Sequence, residues 1–295
     1  MISNPKFYVV LLNHNNYDYT KDCINSLRSC SYPNVNILVV DDFSTDRDID
    51  SLLDDFSDIE FVQNAENLHY CKSFNVGIRH ALSHGADYIF LVNNDTKDFS
   101  VDYFEVILSE FLRDPSVGMV GSKCIDYTGG VRRDDKPSIR FGLTMDTPTE
   151  GYVIKAAVFE KIGGLNEYLI IYMEDLDFIL RMREVGYSTK INTSISFAHM
   201  GGVATSKRPF YSTYLRTRNV VFFARKVAVH DKRSSLWMLN QVRSNISTTM
   251  LVSLQSLLKG DLLRFSNLTR GVVKGLHEGF TTPYPVVWSD KNVSL

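Results

Sequence analysis

Apolar runs of strand length alternate with segments of helical period over residues 6–121. Residues 7–12, 35–40, 59–62, 88–92 and 117–120 are short and rich in Val, Ile, Leu, Phe and Tyr, which predicts buried strands. Between them apolar side chains recur every three or four positions. The stripes are Cys23, Ile24 and Leu27, then Ile49, Leu52, Leu53 and Phe56, then Phe74, Ile78, Ala81 and Leu82, then Phe104, Ile107, Leu108 and Phe111. Each predicts a helix with one face on a core. Strand and helix taking turns predicts an α/β fold, a mostly parallel sheet flanked by helices and wound by right-handed crossovers.

The polar punctuation is as regular as the apolar pattern. Asn13 follows the first strand, Asp41 and Asp42 the second, Asn64 the third, and Asn93, Asn94 and Asp95 the fourth. Open α/β sheets bind ligands outside the carboxyl ends of their strands, so these side chains are expected to converge on one crevice. Asn and Asp are also ordinary turn residues, which is the plainer reading of any single one. Residues 122–150, rich in Gly, Asp, Arg and Thr, read as a long irregular excursion over that crevice. A helix follows over 156–161, stopped by Gly163 and Gly164. Another starts at Glu174 or Asp175, carries the stripe Phe178, Ile179, Met182 and Val185, and ends at Gly186. Beyond about residue 205 the pattern is helical and amphipathic to about 275, then Pro283 and Pro285 mark a loose end. The expected division is 1–204, the sheet domain, and 205–295, a basic helical C-terminal extension.

Composition narrows the class. A chain of 295 residues, 44% hydrophobic and 12% aromatic, can bury a full core. Cys23, Cys30, Cys71 and Cys124 lie far apart with no C-x-x-C pair, which argues against a zinc knuckle, a redox motif or a disulfide framework. Reduced, buried thiols of a cytoplasmic protein are expected instead. The first apolar run is too short for a leader and lacks a small-residue cleavage site, and residues 250–258 are too short to span a membrane. Neither G-x-G-x-x-G nor G-x-x-x-x-G-K-[ST] occurs, which removes the dehydrogenase and P-loop readings.

The stretches FYVVLLNHNN, NILVVDDFSTD, ADYIFLVNNDT, GGLNEYLIIYMEDLDFILRMREVGY and FAHMGG stand in the order and near the spacing of the motifs of family-two glycosyltransferases. Residues 6–226 therefore resemble that family, particularly its rhamnosyltransferase group. The resemblance implies a GT-A catalytic domain over 1–204. It also implies inverting transfer of a sugar from a UDP- or dTDP-linked donor to a glycan or lipid-linked saccharide, in bacterial surface polysaccharide synthesis.

Residue roles follow from the same resemblance. Asp42 would accept the imide N–H of a pyrimidine base, with Asn13 on the nucleoside, unless D-D-F-S-T-D is simply an Asx turn opening a helix. Asn93-Asn94-Asp95 takes the place of the D-x-D motif, with Asn where the strict form has Asp. Asn94 and Asp95 would meet the donor, and Asp95 would hold Mn²⁺ or Mg²⁺ against the leaving diphosphate. His199 matches a histidine that completes this metal site, or it is a structural histidine at a strand end. Asp175, beside Glu174, would take the acceptor's proton, kept ionised by the helix dipole. A capping cluster of Glu174, Asp175 and Asp177 explains those residues without catalysis. Asn75 belongs to a segment under the donor, in which His69 replaces a glycine, and Leu165 and Asn166 replace a Phe-Asp pair. Arg218-Asn219 resembles a trailing Arg-Asn that either approaches the diphosphate or anchors the tail.

Charge adds a partner. Residues 205–280 carry net +10 and the first 204 net −12, within an overall −2. Interleaved with Tyr211, Tyr214, Phe222, Phe223 and Trp237, that surplus predicts a surface lying on anionic lipid at the inner face of the cell membrane, each cation contributing about 1 kcal/mol. Covering an acidic domain of its own or a neighbouring copy, and hence self-association, is one alternative; a solvated face is another. Nucleic acid is not an expected partner, because the acidic domain repels phosphates. Two other functions compete. A sugar nucleotidyltransferase lacks support because its glycine-rich phosphate loop is missing, and retention of Asp95 and Asp175 speaks against an inactive donor-binding or scaffold relative.

Overall fold

Strands β1 (Phe7–Asn13), β2 (Val35–Asp41), β3 (Glu60–Gln63) and β4 (Tyr88–Asn93) form at the first four apolar runs, each ending one residue later than the pattern alone predicts. The extra residue places Asn13, Asp41 and Asn93 on strand ends. Helices α1 (Tyr17–Arg28), α2 (Asp50–Asp55), α3 (His69–Ser83) and α4 (Tyr103–Arg113) fill the intervals, and β5 (Thr96–Lys97) is a two-residue strand after β4. This computed structural model describes residues 4–45, 50–126, 138–140, 143–145, 151–200 and 209–283. Ile49, Asp46, most of the expected excursion, Gly201-Gly202 and Pro285 lie outside the described residues.

The chain divides into two compact units, one made of Met1–Leu165 and Phe178–Gly201 with Trp288–Leu295, the other of Asn166–Asp177 and Gly202–Val287. In the first, β6 (Val117–Asp126), β9 (Tyr152–Lys155) and β10 (Ser188–His199) join the early strands in one eight-stranded sheet of order β3-β2-β1-β4-β9-β6-β10-β5. β1, β2, β3 and β4 run parallel, as do β6 and β10, while β9 is antiparallel to both its neighbours. β7 (Ser138–Arg140) and β8 (Leu143–Met145) pair separately, so the expected excursion contains regular structure and β6 runs six residues past the predicted strand. The core is aromatic: Phe7 stacks on Tyr88 at 4.9 Å and Phe90 on Tyr103 at 5.4 Å. Such pairs add about 1 kcal/mol beyond the area they bury.

α5 (Ala156–Ile162) stops at Gly163, whose φ of 74° a residue with a Cβ adopts only with strain. α6 (Glu174–Glu184) begins in the second unit and ends in the first. Its buried face is Leu176, Phe178, Ile179, Leu180 and Met182, whereas Val185 of the predicted stripe is exposed.

The second unit is built on α7 (Pro209–His230), α8 (Ser235–Leu258) and α9 (Leu262–Thr281). α9 presents Gly271, Gly275 and Gly279 to α7. A Cβ at Gly275 would sit 2.7 Å from the Tyr214 carbonyl oxygen and 2.7 Å from Thr217 Cβ, so only glycine permits this approach. α7 is correspondingly buried along most of its middle, including Tyr214, Phe222 and Phe223. This corrects the expectation that those aromatics dress an amphipathic, lipid-facing surface. The glycine stripe packs against α7 at Thr213, Thr217 and Val221, and Phe222 packs on Tyr168 at 5.6 Å instead of facing outward.

Candidate active site

The carboxyl ends of β1, β2 and β4 meet in one hydrogen-bonded network. Asn13 Nδ2 donates to Asp41 Oδ1 at 2.6 Å and to Ser44 Oγ at 3.1 Å, while Asn13 Oδ1 accepts from Thr20 Oγ1 at 2.6 Å and Asn94 Nδ2 at 2.9 Å. Asn94 Nδ2 also donates to the Asn15 carbonyl at 3.1 Å, tying the turn after β4 to the turn after β1. Asn15 and Asn16, both at φ 61°, make that second turn, a left-handed conformation that Asn tolerates better than most side chains. The convergence expected from the polar punctuation is present for these three strand ends.

Asp42 follows β2 and is 4% exposed. Its Oδ1 accepts from Leu68 N (2.7 Å), Ser73 Oγ (2.8 Å) and Asn64 Nδ2 (3.2 Å), and its Oδ2 from His69 N (3.0 Å). A carboxylate offers about four lone-pair sites, so these four protein donors leave little room for a base imide without rearrangement. His69 turns with φ 65°, a left-handed conformation that glycine adopts without strain, which suits the glycine that the family resemblance implied at this position. Phe43, the next residue, is 46% exposed at φ 60° and presents an aromatic ring beside this cluster. Sequence reasoning passed over it, although an aromatic inside a polar turn was the available signal.

Asn75, expected under the donor, is 1% exposed and uses both ends of its amide on Leu165. Nδ2 donates to the Leu165 carbonyl at 2.9 Å and Oδ1 accepts from Leu165 N at 2.8 Å. Arg181 reaches the turn just before Leu165, donating to the carbonyls of Ile162 (2.7 Å) and Gly164 (2.9 Å). An arginine on a helix reads as solvated, so nothing in the sequence marked this one.

Asp95 and His199, separated by 104 positions, come together because β10 ends beside β5. His199 pairs with Thr96 in the ladder, and Met200 N donates to the Asp95 carbonyl at 3.1 Å. His199 Nε2 lies 3.1 Å from Asp95 Oδ1, the histidine side chain 4% and the aspartate side chain 24% exposed. Two adjacent ligands of an octahedral ion with bonds of about 2.1 Å stand about 3 Å apart, so this spacing admits a divalent cation as well as the direct hydrogen bond seen between the two side chains.

In the second unit, residues 166–173 lead into α6 through an unusual backbone, with Ile170, Tyr172 and Met173 at φ 67°, 73° and 67°. Asn219 on α7 holds this stretch, its Nδ2 donating to the carbonyls of Leu169 (2.8 Å), Ile171 (2.9 Å) and Tyr172 (3.0 Å). Arg218, 4% exposed, donates to the carbonyls of Tyr168 (2.8 Å) and Leu169 (3.3 Å), bonds Asn219 Oδ1 (3.0 Å), and pairs with Glu278 (3.3 Å). Of the two readings open for Arg218-Asn219, these are the contacts of an anchor. At the start of α6, Glu174 is buried and Asp177 is fully buried against Lys226 Nζ at 2.9 Å, while Asp175 between them is half-buried.

Comparison with known proteins adds identity to this geometry. The sequence profile described as Glycosyl transferase family 2 matches residues 8–186. The chain is similar to the dTDP-rhamnosyl transferase RfbF of Shigella flexneri, 24% identical over 300 residues that cover 92% of this chain and 98% of that protein. Among solved structures it is similar to S. aureus TarS 1–349 (TM-score 0.61, 17% identity, 90% of this chain and 81% of that one). It is also similar to the mannosyltransferase PcManGT from Pyrobaculum calidifontis in complex with GDP-Man and Mn²⁺ (TM-score 0.61, 15% identity, 93% and 88%). At such identities the structural likeness establishes the fold, which is GT-A. With a profile spanning more than half its length, the chain belongs to glycosyl transferase family 2 and is a glycosyltransferase.

Proposed function

We propose that the enzyme transfers a sugar, with inversion, from a UDP- or dTDP-linked donor to a saccharide or lipid-linked saccharide of a bacterial surface glycan. The observation that carries this reading is the Asp95–His199 pair at 3.1 Å beside the Asn13–Asp41–Asn94 network. The rhamnosyl transferase relative, named for a dTDP donor, supports a pyrimidine nucleotide.

In this mechanism Asp42 shapes the nucleoside pocket through the 67–69 turn, and the exposed ring of Phe43 offers a stacking face to the base. Asp95 and His199 would hold a divalent cation, Mn²⁺ or Mg²⁺, which would supply neutralisation of the charge building on the departing diphosphate. Asp175 takes the proton of the acceptor hydroxyl as its oxygen attacks the anomeric carbon. The carbon–oxygen bond to diphosphate breaks on the opposite side, and its electron pair leaves with the phosphate. Glu174 and Asp177 fix the helix start, and Arg218 and Asn219 hold the stretch before it. Membrane contact at the inner face of the cell membrane belongs to the same proposal. Its support is a run of exposed leucines at the junction of α8 and α9.

The test is a pair of variants read by calorimetry for donor binding and by product formation for transfer. Asp175→Asn is expected to keep donor affinity within about threefold and to lower transfer at least about 100-fold, the range of a lost general base. Asp95→Ala is expected to weaken metal-dependent donor binding. Full transfer by Asp175→Asn would remove the assigned base.

A further inference from the structure

Three metal-competent side chains gather away from the active-site network, at the other end of α3. His80 and His84 stand one helical turn apart, their rings stacked at 4.1 Å with planes 16° from parallel. Glu60, the first residue of β3, receives a hydrogen bond from His80 Nε2, and one nitrogen or oxygen from each of the three residues falls within 4.8 Å of the others. We propose that Glu60, His80 and His84 form a binding site for a transition-metal dication, Zn²⁺ by ligand type, separate from the donor-linked cation at Asp95.

Ligand chemistry argues for zinc. Two imidazoles and one carboxylate with a position left for water are a set that Zn²⁺ accepts and that Mg²⁺, with its demand for oxygen, does not. Tetrahedral bonds of about 2.1 Å separate ligand atoms by about 3.4 Å, so closing from the observed spread needs a rotation of the exposed His84 side chain that unstacks its ring from His80, because parallel rings cannot both aim an in-plane lone pair at one ion. The surrounding groups already orient the ligands. His84 Nδ1 lies 2.8 Å from the His80 carbonyl, which can only accept, so this contact puts the proton on Nδ1 and leaves Nε2 as the ligand nitrogen. Tyr8 OH donates to Glu60 Oε1 at 2.6 Å, while Oε2 takes the His80 Nε2 hydrogen bond, so an ion bound between these two atoms displaces that proton to solvent. Partners of this kind raise metal affinity by fixing tautomer and orientation. The ion would join edge strand β3 to the C-terminal end of α3. The opposite end of that helix, about 20 Å away at 1.5 Å per residue, supplies the turn that caps Asp42. It is a structural staple.

The full chain, stripped with a chelator, is titrated with Zn²⁺ by calorimetry and with Co²⁺ by visible absorption. Expected are one Zn²⁺ per chain, the intense bands of four-coordinate Co²⁺, and a melting temperature that rises with Zn²⁺. His84→Ala, an exposed position, is expected to weaken Zn²⁺ at least tenfold while leaving the metal-free melting temperature unchanged. Asp95→Ala is expected to retain the ion. No stoichiometric uptake, uptake unaffected by His84→Ala, or uptake abolished by Asp95→Ala would each overturn the site. Donor binding in Mn²⁺ is read on the same samples, so the fate of this site and that of the transferase reading are separable.

Discussion

Glu110 on α4 is a charge with a side chain only 4% exposed, and its partners decide its state. Burial opposes ionisation, but hydrogen bonds from Lys190 at 2.5 Å and Asn192 at 2.7 Å, with the charges of Lys190 and Arg113, outweigh it and hold the carboxyl below its ordinary 4.5. A carboxyl depressed in the folded state binds fewer protons there than in the unfolded chain. Its stabilisation is therefore complete above about pH 4.5 and is lost as acid carries the pH down through the folded value. Glu110→Gln is expected to cost about 1–2 kcal/mol at neutral pH and to flatten the fall of denaturant stability below about pH 4.5. An unchanged acid slope would show that the cluster contributes nothing. Only the Arg113 partner, three residues on along the helix, was legible in sequence, because Glu110 reads as a solvated helix residue and Lys190 and Asn192 lie about 80 positions away. Asp42 shows the converse. Its place at a strand end was legible, but the four donors that engage its carboxylate come from a turn and a helix whose approach no spacing reveals.

Elements with a single strong period were the legible ones. The first four strands and their helices announced themselves through short apolar runs and helical apolar stripes, and α6 through the acids that mark its start. β10 escaped notice because its twelve residues, STKINTSISFAH, carry only Ile191, Ile195 and Phe197 as large apolar side chains. β9 escaped because four residues run directly into α5. α9 was expected as a helix, but its glycine-lined contact with α7 was not, since Gly271, Gly275 and Gly279 add to the buried face without adding a hydrophobic signal. The stretch before α6 depends on another element in the same way. Three positive-φ residues within four positions are strained for side chains bearing a Cβ, and one amide on α7 holds three carbonyls of that stretch, Leu169, Ile171 and Tyr172. If that stretch places Asp175, Asn219→Ala should lower kcat about 10–100-fold with donor affinity preserved, the signature of a displaced catalytic group. Asn219→Asp, equal in shape but offering acceptors where donors are needed, should do at least as much harm. Loss of donor affinity with kcat intact would place Asn219 on the donor instead.

The charge division between the first 204 residues and the tail was legible from composition, but its meaning changes with the burial pattern. Tyr214, Phe222, Phe223 and Arg218 are buried, so they are not available to lipid. What the tail does expose is Leu251, Leu254 and Leu258 near the end of α8 and Leu262 and Leu263 at the start of α9, with Lys259 and Arg264 exposed among them. Among the described residues no helix is long and apolar enough to cross a membrane. A helical hairpin tip of leucines edged by cations suits shallow insertion into an anionic surface, where apolar burial and charge attraction act together. A fully buried leucine is worth about 1.5–3 kcal/mol, so replacing two should cost far more than removing one cation at about 1 kcal/mol. The full chain is therefore expected to sediment with anionic vesicles. The double variant Leu258→Glu, Leu262→Glu should lose at least about tenfold in that binding with its melting temperature unchanged, because both positions are already open to water. Raised salt should weaken binding without abolishing it, since salt screens the cations and leaves the apolar contribution in place. If vesicles fail to bind the wild type while light scattering shows a dimer that the double variant dissolves, the leucines cover one another in a second copy of the chain and the lipid reading falls.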